Sequence, residues 1–349
     1  MRGASVLLLV CLLSSAPQGA EAQRLSYSKG QPVYPAYEGW ERNSDGSVDM
    51  LFGYMNENWE QELEVPVGLD NQFSPGPPDQ GQPAHFLPRR NRYVFKVRVP
   101  ADFGEEEELV WTLRANGQEY RAYGTLREDL YTDNMIIMSE TGALGAGTSS
   151  PEIRANVPPE IELEGGVERS VRVGEVLTLA AVVTDDGQPT SVGFFSGETD
   201  SEEDDVEDDD VEDAAEEDDD VEEDAVEEDA EEDNEPTPRE LLERALGRGT
   251  ASGTVSKRLG LHYTWFVYRG PGEAVEFAPP QIKTWEDTRP FANSPWTVAW
   301  VVPEAPEDGR WVSEVTFSEP GTYVLRGRAD DGGLYADVEV TVRVQSTVF

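Results

Sequence analysis

Cysteine, histidine and lysine are scarce in this chain of 349 residues, and each scarcity excludes a class of chemistry. The one cysteine is Cys11, and the two histidines are His85 and His262. A single cysteine allows no internal disulfide and no thiolate metal cluster. Lysine and arginine together number 27 against 71 acidic residues, for a formal net charge of -44. Because nucleic-acid binding depends on basic contacts to phosphate, this balance argues against nucleic acid as a partner.

The signatures of common enzyme classes are also missing. The chain has no His-Glu-x-x-His, no Gly-x-Ser-x-Gly, no phosphate-binding loop and no dinucleotide-binding glycine pattern. His262 belongs to an alternating strand pattern and His85 to a proline-rich segment, so both are interpreted as structural groups. A carboxylate pair for glycoside hydrolysis stays open, since its test is a separation in space. The sequence therefore predicts no catalytic residue and a non-enzymatic protein.

Residues 1–22 are typical of an export signal. Arg2 precedes an apolar run over 4–13, and Ala20-Glu21-Ala22 fits the small-residue rule of signal peptidase. The run is too short for a spanning helix, which needs about 20 residues. We expect cleavage before Gln23, no transmembrane segment afterwards, and a secreted or periplasmic protein of a Gram-negative bacterium. Lipidation at Cys11 is the weaker alternative, because the apolar run continues past it.

Residues 23–133 follow the two-residue period of half-buried β-strands. Val48, Met50, Phe52 and Tyr54 share one face of such a strand, and Asn116-Gly117 predicts a hairpin turn. The stretch 70–92 is rich in proline and glycine and is expected to hold no regular element. We interpret 23–133 as one β-sandwich and the glycine- and serine-rich segment 134–157 as a linker or loosely packed connection.

The alternating pattern returns in residues 158–349, with an interruption over 196–250. Tyr323 follows Pro320-Gly321 two positions before Leu325, and Trp265 stands in the middle of a strand pattern. These residues resemble a bacterial immunoglobulin-like or polycystic-kidney-disease (PKD) type repeat. The resemblance implies a tyrosine corner at Tyr323, a core tryptophan at Trp265 and an apolar strand F position at Leu325. The N-terminal half resembles exported bacterial proteins with the same pair of domains, and the expected fold is all-β, with two antiparallel immunoglobulin-like sandwiches.

An acidic tract fills most of the interruption. Residues 198–235 hold 27 acidic side chains in 38 positions and no lysine or arginine. Such a segment buries too little apolar surface to offset its ordering entropy, so we expect disorder there. A capping box at Thr237-Pro238-Arg239-Glu240 predicts a short helix over 237–247. A solvated spacer is the first interpretation of the tract; weak Ca²⁺ binding and a polycationic partner, such as the cluster Arg89, Arg90 and Arg92, are the others.

Two groups of residues are candidate binding positions. Tryptophans in a loop-like stretch before the last strands could present flat rings to sugars or peptides: Trp285, Trp296 and Trp300. Two Asp-Asp-Gly sequences predict turns first and weak cation ligands second, through Asp185, Asp186, Asp330 and Asp331. The leading hypothesis is an exported binding or scaffold module with no cofactor and with a protein or polysaccharide partner. A carbohydrate-binding or carbohydrate-active protein and a Ca²⁺-responsive structural protein are the alternatives.

Overall fold

The computed structural model describes residues 29–58, 60–100, 102–104, 106–143, 150–189, 252–285, 302 and 304–346. These residues form an all-β fold of two antiparallel β-sandwiches joined by two short helices. The predicted signal peptide 1–22, acidic tract 198–235 and helix 237–247 lie outside the described residues, as do Trp296 and Trp300. Within the described part of the chain, neither helix is long and apolar enough to cross a membrane.

The first sandwich consists of two three-stranded sheets and a short strand pair. One sheet has the order β1-β2-β6, with β1 Val33–Arg42, β2 Val48–Asn56 and β6 Arg89–Val99. The other has the order β4-β7-β8, with β4 Asn71–Ser74, β7 Leu109–Ala115 and β8 Gln118–Gly124, while β3 Leu63–Glu64 pairs with β5 His85–Phe86. Its core is aromatic: Phe52 stacks on Phe95 at a centroid distance of 5.6 Å, and Trp111 lies edge-on to Phe95 at 5.1 Å.

The stretch 70–92, expected to lack regular structure, contains β4, β5 and the start of β6. A buried asparagine explains the difference. The Asn71 amide donates to the carbonyls of Val65 and Pro83 at 2.9 and 2.7 Å, and its oxygen accepts from the Trp111 indole at 2.9 Å. Because these bonds satisfy backbone groups that would otherwise need water, a polar and proline-rich segment can line the core.

The second sandwich consists of two four-stranded sheets. The sheet β14-β16-β11-β9 contains β9 Glu160–Leu163, β11 Leu177–Thr184, β14 Val275–Ala278 and β16 Arg310–Phe317. The sheet β10-β18-β17-β13 contains β10 Glu168–Arg172, β13 His262–Arg269, β17 Gly321–Asp330 and β18 Tyr335–Gln345, with β10 parallel to β18. A parallel pair joins β12 Ser252–Ser256 to β15 Gln281–Trp285. The main sheets have the ABED and GFC orders of an immunoglobulin domain.

The three residues assigned by the resemblance lie in the core of this sandwich. Trp265 of β13 and Tyr323 and Leu325 of β17 are 0% exposed. The Tyr323 hydroxyl donates to the Glu319 carbonyl at 2.9 Å, four residues upstream. This bond has the geometry of a tyrosine corner, which holds the start of strand F.

The segment 134–157 differs from the expected loose linker, because it forms two capped helices that pack between the sandwiches. Helix α1 is Asn134–Thr141, and Asp133 caps it by accepting from the Ile136 N–H; helix α2 is Pro151–Ala155, capped by Ser150. The buried side chains of this contact are Leu51, Tyr93, Ile137, Met138, Ile153 and Leu334. The glycines of this segment favour a loose connection, but the two N-caps, Asp133 and Ser150, each stabilise a helix by about 1 kcal/mol.

Candidate functional site

Strand β13 contributes to the cores of both sandwiches. Its inward residues Trp265 and Val267 pack in the second sandwich, whereas Phe266 and Tyr268 belong to the hydrophobic core of the first. The Ala84 N–H donates to the Tyr268 carbonyl at 3.0 Å, and the Tyr268 hydroxyl donates to the Gly81 carbonyl at 2.6 Å. The sandwiches are therefore joined by apolar burial and by backbone hydrogen bonds.

Arg326 of β17 adds a charged side chain to this contact. Its guanidinium carbon lies 3.5 Å from the centre of the Tyr268 ring, and the group donates to the Val94 carbonyl of β6 and to the Glu339 carboxylate. A guanidinium presents five donors in a planar fork, which suits this combination of stacking and hydrogen bonding. One buried side chain thus contacts both sandwiches.

Arg328, two residues further along β17, is a second buried arginine, and it pairs with Asp337 at the surface. It donates to both Asp337 oxygens at 2.7 and 2.8 Å and lies 3.9 Å from the centre of the Tyr335 ring. Burial disfavours the charged form of Asp337, but Arg328 and Arg326 outweigh that effect and lower its pKa. The Asp337 carboxylate consequently stays ionised at neutral pH.

A cleft of about 650 Å³ opens beside these residues, between the two sandwiches. Residues 93–96 of β6 form one wall, β13, β17 and β18 form the other, and Asn134 and Ile137 of α1 also line it. Its charged lining residues are Asp79, Lys96, Arg269, Arg326, Asp337 and Glu339. Each of the six is paired with an opposite charge, so the cleft is close to neutral.

Two of the cleft carboxylates, Asp79 and Asp337, have properties that disfavour general acid catalysis. Two hydrogen bonds from Arg269, at 2.7 and 3.0 Å, lower the pKa of Asp79. The pKa of Asp337 is also lowered. A general acid for glycoside hydrolysis needs a raised pKa, because it must hold its proton until the leaving group takes it.

Both histidines have structural surroundings outside the cleft lining. His85 is 2.6 Å from Glu62 and packs against Gly272, where any side chain would collide with the imidazole. A ring nitrogen of His262 is 3.3 Å from the Ile282 carbonyl, and burial lowers the His262 pKa. His262 is therefore neutral at physiological pH.

The turn Asp330-Asp331-Gly332 lies at one end of the cleft, between β17 and β18. Both carboxyls are buried, with 4% and 1% of each residue exposed. Asp330 pairs with the buried ammonium of Lys257 at 3.0 Å. One Asp331 oxygen accepts from the Gly333 and Leu334 N–H groups at 2.5 and 2.6 Å. The other accepts from the Asn156 amide at 3.2 Å.

The turn Asp185-Asp186-Gly187 contacts the connector 134–157 at Val157, the residue after Asn156. The Val157 N–H donates to Asp186 at 3.4 Å, and the Gly187 N–H donates to Asp185 at 2.8 Å. In the residues that the structure describes, no group of three His, Cys, Asp or Glu side chains is placed to hold a metal ion. The counter-charge at the Asp330-Asp331-Gly332 turn is the Lys257 ammonium.

The structure describes one of the three candidate tryptophans and therefore does not place them together. Trp285 is the last residue of β15, and the other two lie outside the described chain. The basic cluster of the first sandwich already has partners: Arg89 donates to the Glu57 carbonyl, Arg90 pairs with Glu38 at 2.6 Å, and Arg92 pairs with Glu140 of α1. These contacts hold β6 and α1 together and leave the cluster poorly suited to dock an acidic tract.

Sequence reasoning missed Arg326, Arg328, Lys257 and Asn156. A signal for the two arginines exists in the hairpin that the Asp-Asp-Gly-Gly turn predicts. Extending that hairpin places Arg328 opposite Asp337 and Arg326 opposite Glu339, which is the observed register. Opposite charges at facing positions of neighbouring strands attract. Lys257 and Asn156 have no such local signal.

No family model matches the chain, and no curated protein matches it. Among solved structures, the first eight immunoglobulin domains of Down Syndrome Cell Adhesion Molecule match at 8% identity with a TM-score of 0.21, over 90% of this chain and 27% of that one. Domains 1–6 of the surface layer protein SbsC match at 8% and 0.21, over 91% and 28%. A tandem of titin immunoglobulin domains matches at 8% and 0.19, over 91% and 100%.

The chain spans little more than a quarter of the length of the first two of these structures. The immunoglobulin-like assignment rests on the sheet orders and the tyrosine corner described above.

Proposed function

We propose that this protein is an exported, non-enzymatic binding or scaffold module whose working part is a rigid pair of β-sandwiches. The observation that carries the proposal is the sharing of β13, which places Phe266 and Tyr268 in the core of the neighbouring sandwich. Separating the sandwiches would expose both aromatic rings and break the Arg326 bond to Val94. A body held in this way presents its surfaces at a fixed spacing, as a scaffold requires.

The cleft is the proposed binding surface. Its charged residues are already paired, and tyrosines 93, 268 and 335 lie in its walls. Tyr93 and Tyr268 are almost fully buried, and arginines cover the Tyr268 and Tyr335 rings, so a ligand there would meet ring edges, paired charges and backbone groups and would replace no ion pair, which suits an uncharged extended polymer. A polysaccharide or a segment of another protein outside the cytoplasm has this chemistry, and the lowered pKa values of Asp79 and Asp337 favour binding over hydrolysis.

The test is affinity electrophoresis of the mature chain through gels containing β-glucan, xylan, galactomannan or casein peptides. Ala336 lines the cleft, so A336W fills it without removing an ion pair. Gln118→Trp adds the same ring to an exposed position of β8 as a matched control. We expect one polymer to retard the wild type and Q118W but not A336W, with no release of reducing ends or new amines. Retardation unaffected by A336W rejects the cleft, and product release rejects a non-enzymatic function.

A further inference from the structure

The turn Asp330-Asp331-Gly332 is a junction of chain segments distant in sequence. The Gly332 carbonyl accepts from the Ala143 N–H just after α1, at 2.6 Å. The Asp331 carbonyl accepts from the Gly260 N–H at 3.1 Å, and its carboxylate accepts from Asn156 just after α2. The same turn continues into Leu334 and Tyr335, which line the cleft. Loosening it would therefore affect the connector helices and one wall of the cleft together.

The charges at this junction do not balance. Two adjacent buried carboxyls, Asp330 and Asp331, share one buried cation, the Lys257 ammonium, which pairs with Asp330. The neighbouring His262 is neutral, and Asn156 carries no charge. Among the described residues, the other ionisable groups around the junction are Asp185 and Asp186 of the other turn, Arg258, whose carbonyl lies beside Gly332, and the Arg328–Asp337 pair with the buried Lys283 that also acts on Asp337. In the part of the chain that the structure describes, no cation pairs with Asp331, so this second carboxylate is buried beside Asp330 without a salt bridge of its own.

The junction also contains a buried acceptor in need of a donor. The Asn156 amide nitrogen donates to Asp331, while the Asn156 side-chain oxygen is buried and accepts no hydrogen bond from the described residues. A neutral Asp331 would carry an O–H group. After a half-turn of the Asn156 amide, that O–H would donate to the amide oxygen and the negative charge would be gone, while the amide nitrogen would exchange its contacts with Asp331 and the Met138 sulfur for the position that the oxygen now occupies.

We propose that Asp331 is a proton-sensing carboxyl that tightens the contact between connector, cleft wall and second sandwich when it is protonated. The proposal concerns the two-sandwich body itself and stands whether or not the cleft binds a polymer. Such a device suits a protein exposed to an external medium of varying pH.

The direction of the effect follows from proton linkage. Burial, and then the neighbouring Asp330, raise the pKa of Asp331 to about 7, whereas an exposed aspartate titrates near 3.9. Between these values the folded state binds more protons than the open state, so stability rises as pH falls through 7. For a pKa of about 7, the equilibrium constant for opening is expected to fall about tenfold between pH 8 and pH 6.

The first experiment compares thermal unfolding of the full mature chain and Asp331→Asn from pH 8 to pH 5. The amide is a neutral stand-in for the protonated acid. We expect D331N to unfold at a higher temperature than the wild type at pH 8, with the gap closing by pH 5. Asp186→Asn, in the exposed turn, is the matched control and should follow the wild-type profile. A gap that is constant with pH, or a D331N variant less stable than the wild type at pH 8, overturns the proposal.

Amide hydrogen exchange of the unmodified protein gives an independent test that does not depend on a variant folding. The Ala143 and Gly260 amides report on the junction, and the Glu164 amide, bonded to Ala180 at 2.9 Å, is a remote reference. After correction for intrinsic rates, opening at the two junction amides should be about tenfold more favourable at pH 8 than at pH 6. An opening constant that does not change with pH at these amides, or that changes equally at Glu164, rejects the proposal.

Discussion

The two Asp-Asp-Gly turns share a local sequence and differ in almost everything that depends on the rest of the fold. In both, the first aspartate accepts from the glycine N–H at 2.8 Å, and the glycine has a positive φ, 78° at Gly187 and 92° at Gly332. Asp186 is nevertheless exposed, whereas Asp331 is 1% exposed. Local chemistry determines the shape of such a turn, and tertiary burial determines what its charges do.

The largest expected difference between the two turns, in the unfolding free energy lost on substitution, is at their first aspartate. Asp330→Ala leaves the buried Lys257 ammonium without a partner, which should cost about 3–5 kcal/mol of unfolding free energy. Asp185→Ala removes a turn acceptor with no cation beside it and should cost about 1 kcal/mol. Urea unfolding of the two variants measures the difference.

The double variant K257M with D330L is the control for this pair, since it removes both charges together. It should be less destabilised than D330A alone. Equal losses in D330A and D185A would show that the Lys257–Asp330 pair is not buried in solution.

A smaller difference is expected at the glycines. An alanine at either position meets the penalty of positive φ, about 1–2 kcal/mol. At Gly332 the new Cβ would also lie 2.5 Å from the Arg258 carbonyl oxygen and 2.7 Å from the Leu259 Cα, while at Gly187 no atom lies within 4 Å. Gly332→Ala should therefore be less stable than Gly187→Ala by about 1–3 kcal/mol in the same urea assay. Equal losses of unfolding free energy in the two variants would mean that Arg258 and Leu259 do not pack against the Asp330-Asp331-Gly332 turn.

The smallest expected loss of unfolding free energy is at the exposed Asp186. Asp186→Ala loses two exposed hydrogen bonds, from the Val157 N–H at 3.4 Å and from the Gln188 N–H at 2.8 Å. Water can replace both, so the unfolding free energy should stay within about 0.5 kcal/mol of the wild type. Calorimetry at pH 7 measures this change. A loss above about 1 kcal/mol would indicate that the first turn is buried as deeply as the second and would remove the contrast between them.

Much of each sandwich could be predicted from short-range patterns. Alternation placed Met50, Phe52 and Tyr54 on a buried face, but β2 is not the half-buried strand expected, because Asp49 and Leu51 on its other face are buried as well. The strand positions of Trp265 and Tyr323 agree with the immunoglobulin-like topology. These features depend on neighbouring residues, and a strand exposes its two faces in a fixed order. Both Asp-Asp-Gly turns were found in the same way.

The junction could not be predicted because its contacts are long-range. Asn156 and Asp331 are 175 positions apart, and the Tyr268 bond to Gly81 spans 187. The sequence of β13 is typical of a strand that is buried on both faces. Its pattern does not show which part of the chain covers the outward face. The connector was misjudged for a related reason: Ile137 and Met138 are too few to show periodicity, and their burial depends on Leu51 and Leu334.

The position of β13 has a consequence for synthesis, because a chain is made from its N-terminus. The strands of the first sandwich end at Gly124, and Phe266 and Tyr268, which complete its core, follow 142 and 144 residues later. During translation, part of the apolar surface of the first sandwich stays uncovered until β13 has been synthesised. Until the second half has been synthesised, such a protein depends on chaperones or on intermediates that aggregate slowly. A truncation after α1 would leave the core of the first sandwich permanently incomplete.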